Sequence, residues 1–236
     1  MIATVVNTIA IIIGGFIGTV FKNKISERYT GGIMTCMAMI TAIIGIQSAV
    51  GTSSILIVVI CCVLGTIIGT ALRLDERINN SGDKLKAGLE KTGIAKGRFG
   101  DAFVTATLVF GVGTMAILGS IRAGLDHDYA ILFTKSIMDF ITALAFSAAM
   151  GPGVIFAAIP IFIFQGAITL LAGVAQPFLT KEVITEMSAA GGPVFIGMAI
   201  NMLELRKERI KIGDMIPAIF MPVIYFPISD LIGRLM

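Results

Sequence analysis

Apolar runs of about twenty residues recur along this chain, and they restrict its fold more than any other feature. A helix needs roughly that length to cross a bilayer, whereas the strands of a closed barrel read as short alternating segments. The runs here are continuous, so they predict membrane-spanning helices. Composition agrees, with 56% hydrophobic and 14% charged residues, about half the charge of a soluble domain. The expected fold is an all-α polytopic membrane protein, a single integral membrane domain over 1–236.

About eight spans are predicted, at roughly 2–21, 31–47, 53–73, 101–121, 129–150, 152–173, 189–205 and 213–232. The first run has no basic residue ahead of it and Lys22, Lys24 and Arg28 behind it. That order is the reverse of a signal peptide, so it reads as a retained helix. Gly14 with Gly18, and Gly65 with Gly69, are small-xxx-small pairs suited to close packing. Several spans are expected to be kinked or broken. Gly111 and Gly113 interrupt the fourth, Pro160 the sixth, and Pro217 and Pro222, with Pro227, the eighth. Segment 74–100 is the long polar stretch and reads as a cytoplasmic amphipathic linker or a solvated one. Residues 174–188 read as a connection that includes a short surface helix.

The fifth span carries the polar feature around which the others are arranged. Lys135 and Asp139 lie four residues apart near the middle of 129–150, on one helix face, with Asp128 and Thr142 extending the stripe. Ionisable groups at membrane depth are costly and generally face a partner or a watery cavity. Gln165, Thr114, Asn7 and Asn201 are candidates to complete such a cavity. The competing reading is a self-neutralising pair that serves only as interhelical glue, with Lys135 near enough to one boundary to snorkel outward.

Charge between the spans sets an expected orientation. The connections after spans one, three, five and seven hold three, seven, none and four of the 18 lysines and arginines, whereas the opposite side holds three. Basic loops favour the cytoplasm, which places 74–100 inside and both termini outside. A weak internal similarity accompanies this: residues 31–39 resemble 192–200, and 7–15 loosely resemble 158–166. Spans one to three (1–73) then match spans six to eight (152–236) as a candidate inverted repeat around central spans 101–150.

The runs Gly113-Thr-Met-Ala-Ile-Leu-Gly-Ser120, Thr134-Lys-Ser-Ile-Met-Asp139, Gly151-Pro-Gly-Val154 and Gln165-Gly166, with the opening Asn7, Gly14, Gly15 and Gly18, are similar to the signature of the YqgA-like (YqgA/YdfK) family. These are uncharacterised bacterial inner-membrane proteins. The resemblance implies a multi-pass protein of the bacterial cytoplasmic membrane. It implies no reaction or substrate, and it gives Lys135, Asp139 and Gln165 only as matching motif positions. Thr114 stands where a small apolar residue is expected.

Nothing points to an enzyme. His127 is the one histidine, no HExxH or clustered metal ligands occur, and intramembrane-protease motifs are absent. Cys36, Cys61 and Cys62 lie within apolar runs and read as packing residues. No cofactor or metal is expected, and no basic face with aromatic platforms suggests nucleic acid. The leading expectation is a secondary transporter of a small solute, monovalent cation or proton, with Asp139 and Lys135 at its centre. A channel or pore, and a membrane scaffold or regulatory protein, are the alternatives. The expected partners are the lipid bilayer and a second copy of the chain.

Overall fold

The computed structural model describes residues 1–22, 27–78, 80, 99–111 and 113–235. Most of the linker expected over 74–100 lies outside the described residues, which are helical without a strand. The helices are α1 (Ile2–Lys22), α2 (Glu27–Val50), α3 (Ile55–Ala71), α4 (Phe99–Gly111), α5 (Thr114–Leu125), α6 (Ala130–Met150), α7 (Gly153–Phe156), α8 (Ala158–Leu170), α9 (Ala172–Ala175), α10 (Lys181–Met202) and α11 (Ile212–Leu235).

Among the described residues six segments are long and apolar enough to span a membrane: Ile2–Lys22, Arg28–Val50, Ala130–Met150, Gly153–Leu170, Lys181–Met202 and Ile212–Ser229. The pair α4 and α5, bent by 58°, makes a seventh if it is one span. Helix α3 has 17 residues, the short end of the range that crosses a bilayer. The fold is the all-α polytopic one that the sequence predicts, with six or seven candidate spans in place of about eight.

Backbone contacts fix the relative direction of several helix pairs. A Cβ on Gly14 would strike Phe140 O and one on Gly18 would strike Leu144 O, so α1 and α6 run parallel with their backbones in close approach. Gly65 abuts Ala218 and Gly69 abuts Asp214, so α3 and α11 run antiparallel. Gly45 on α2 meets Gly192 on α10. The bent pair follows its neighbour from end to end. Gly153 abuts Phe99 and Ala102, Gly111 lies near Ile161, and Gly124 abuts Thr169 and Ala172. This is the course of a broken span rather than a loop that turns back.

Two sequence expectations change. The seventh span begins at Lys181, not near 189, because Thr180 caps it by accepting the Val183 N–H (3.3 Å) and Glu182 sits in its first turn. Buried Val183, Ile184 and Met187 then anchor those added two or so turns. Helix α11 runs unbroken through Pro217, Pro222 and Pro227, so no break occurs there; each proline removes only one backbone bond from a long, packed helix. At Pro160 the expected interruption does occur. The chain turns at Ala157 and restarts as α8, with Pro160 in the first turn, where its missing N–H leaves no helical bond unmade.

Candidate functional site

Four of the predicted polar residues converge between α1, α6 and α8. Lys135 and Asp139 share a face of α6, and Lys135 Nζ donates to Asp139 Oδ1 (2.8 Å) and Oδ2 (2.7 Å). Asn7 reaches them because α1 packs parallel on α6 through its glycine seam. Its Nδ2 donates to Asp139 Oδ2 (3.1 Å) and to Gln165 Oε1 on α8 (3.3 Å). Lys135 and Asp139 are 6% and 5% exposed, and Asn7 and Gln165 not at all.

The Asp139 carboxylate orders this arrangement. It accepts only donors, so it fixes the Asn7 amide with nitrogen toward it, and Gln165 must then present its oxygen to Asn7. The far atoms, Asn7 Oδ1 and Gln165 Nε2, are left buried without a partner. Beyond them Thr4 Oγ1 and Thr169 Oγ1 are also buried and unpartnered. Each residue lies about one turn from Asn7 or Gln165, toward the N-terminus of α1 and the C-terminus of α8. An unmade hydrogen bond of this kind costs roughly 1–3 kcal/mol, and four on two facing helices need a reason. On the other side of Asp139 the α1–α6 seam closes over Gly14 and Gly18, with Ser147 Oγ another buried orphan beside it.

The other candidates lie elsewhere. Thr114 opens α5 and its hydroxyl meets that of Ser188 on α10 (2.9 Å). Asn201 clamps the connection after α10, donating to Ile210 O and accepting the Ile210 N–H, both at 2.9 Å. Its side chain is fully engaged in that structural task. Thr142 is half-buried, and among the described residues no hydrogen bond joins it to the cluster. One residue past Asp139's opposite face, Phe140 instead offers its carbonyl to the glycine seam. Gly111 and Gly113 flank the break between α4 and α5, Gly113 at φ +153°, away from the ion pair.

Sequence reasoning missed Glu186, which is 1% exposed. Its carboxylate accepts from the Thr52 hydroxyl (2.6 Å), the Ser53 N–H (2.7 Å) and the Ser53 hydroxyl (2.7 Å), just ahead of α3. Reading 174–188 as a connection hid it. The available signal was Thr180 as a cap ahead of Lys-Glu-Val-Ile, which moves Glu186 inside a helix. Among the described residues no group of acidic, histidine and cysteine side chains is placed to hold a metal.

No solved structure matches this chain. It is 29% identical over 226 residues to the uncharacterized membrane protein YdfK of Bacillus subtilis (strain 168), covering 94% of each chain. It is 24% identical over 223 residues to the uncharacterized protein YqgA of Escherichia coli (strain K12), again over 94% of each. The family model described as "Protein of unknown function (DUF554)" matches residues 2–227. The likeness first seen in short motifs therefore extends over nearly the whole sequence, and this chain belongs to the DUF554 family of membrane proteins.

Proposed function

We propose that the protein is a secondary transporter in which Asp139 binds a monovalent cation or proton and Lys135 fills the site when it is empty. The observation that carries this is the buried Lys135–Asp139 pair backed by two amides with unused polar atoms. A pair retained only for stability would gain from complete hydrogen bonding, because burying charge is seldom a net benefit. An incoming cation that displaces Lys135 Nζ meets both Asp139 oxygens, and turning the Asn7 amide over would bring its Oδ1 toward the ion and release Gln165 Oε1. The displaced ammonium has a long stem with which to reach the nearer boundary.

The packing supports alternating exposure of this site. The file of unpartnered polar atoms runs toward the end of α1 that carries the N-terminus, whereas the opposite direction is closed by the glycine seam. That closure disfavours a continuous pore. The inverted repeat receives support from pairing: α1 packs on α8, α2 on α10 and α3 on α11, so each helix of the first trio touches its expected counterpart. Sites at the interface of such repeats are common in transporters.

The test is thermal denaturation of purified wild type and Asp139→Asn across Li⁺, Na⁺, K⁺ and a pH series, followed by flux in liposomes. We expect one ion to raise the wild-type midpoint and to leave the variant unmoved, with flux lost in the variant. Identical responses from both proteins would return Lys135–Asp139 to a structural pair.

A further inference from the structure

Away from the ion pair, two cavities meet at the broken span. One of about 240 Å³ is walled mainly by apolar side chains, among them Ile117, Phe164, Ile216 and Ile219. The other, of about 260 Å³, is lined by the polar side chains of Gln47, Ser48, Thr114, Thr185 and Ser188. Gly113 and Ser188 belong to both linings, so the two spaces adjoin at that point.

The break creates the junction. Gly113 holds φ +153° with nothing within 4 Å of where a Cβ would be, so its backbone borders open space. Irregular backbone at membrane depth is tolerated where it lines a cavity. The Thr114–Ser188 hydroxyl contact (2.9 Å) bridges α5 and α10 at the same place and offers one donor and one acceptor. Glu186 lies close by in sequence but is turned away, its carboxylate occupied by Thr52 and Ser53.

We infer that this double cavity is a binding site for a small neutral amphiphile, with a hydroxyl- or amide-bearing head at Thr114 and Ser188 and an apolar body between Phe164 and Ile219. The chemistry of the walls dictates the class. Among the described residues none that lines either cavity is ionisable, so a carboxylate, an ammonium or a zwitterion would find no counter-charge there. A pure hydrocarbon would leave the polar end unsatisfied. Taken singly, the two spaces of about 240 and 260 Å³ lie just below the ~300–1,000 Å³ of drug-sized sites, which suits a small ligand. The site goes beyond the ion site at Asp139 and does not depend on it.

The chain has no tryptophan, so Phe164→Trp supplies a single fluorophore in the apolar half. In nanodiscs, 6-bromo-1-hexanol should quench it saturably, whereas 6-bromohexanoate should not. Thr114→Ala with Ser188→Ala should weaken the alcohol about tenfold, the effect of losing ~1.4 kcal/mol of head-group bonding. Gln47→Leu at the rim serves if that pair folds poorly, with a several-fold loss expected. Thr19→Ala, whose hydroxyl bonds only Gly15 O of its own helix, should change nothing. Quenching linear in alcohol concentration, or equally saturable quenching by 1-bromohexane, would mark a lipid-facing crevice filled by any acyl chain and would overturn the proposal.

Discussion

Lys135 and Asp139 satisfy one another so fully that neither tolerates loss of its partner alone. Lys135→Met leaves a buried carboxylate held only by Asn7, and should lower stability by about 3–5 kcal/mol. Lys135→Met with Asp139→Leu removes both charges and should recover most of that loss. A denaturation series on wild type, both single variants and the double variant checks this, and additive losses would contradict it. Gln165→Leu removes the orphan Nε2 and also the Oε1 that receives Asn7, so its cost should stay near 1 kcal/mol while any ion response falls. Glu186 answers differently, because its carboxylate is engaged in tying residues 52 and 53 to α10. Glu186→Gln keeps the shape but weakens three hydrogen bonds from Thr52 and Ser53, and should cost about 1–3 kcal/mol with ion response intact.

At the level of elements, what holds α1 to α6 is the absence of side chains at Gly14 and Gly18. Gly18→Val would drive a branched side chain into Leu144 O and Ser147 Cβ, so it should abolish recovery of folded protein, as size-exclusion profiles would show. A mild phenotype would mean that the two helices do not pack this way. Gly-xxx-Gly spacing was legible in sequence as a packing device, but the partner was not, since many helices offer a carbonyl. The same limit governed the polar residues. Periodicity places Lys135 and Asp139 on one face with certainty, and Asn7 and Gln165 joined them only because α1 lies parallel to α6 with α8 alongside. Thr114 and Asn201 are equally polar and equally deep in their runs, yet a helix break captures one and a backbone clamp the other. In α11 the three prolines leave the helix uninterrupted, packed along α3 and α10.

The whole molecule is a set of up-and-down passes whose direction is consistent at each contact, and its charge bias supplies an orientation for them. With 14 of 18 basic residues on one side, and with α3 and the bent α4–α5 pair each counted as a crossing, we expect the segment 74–100 in the cytoplasm and Met1 and Met236 both outside. Single cysteines at residue 2 and residue 236, in a cysteine-free background, should label from outside intact cells, and one at residue 91 should not. Labels on opposite sides at the two termini would require an odd number of spans and would count against the proposed inverted repeat. Infrared difference spectroscopy during ion exchange reads the Asp139 carboxylate itself. Perfusing reconstituted protein between cation-free buffer and the stabilising cation, or across pH, should shift a carboxylate band that is present in wild type and missing in Asp139→Asn. An unchanged wild-type spectrum, or the same band in the variant, would show that Asp139 never exchanges Lys135 for an ion.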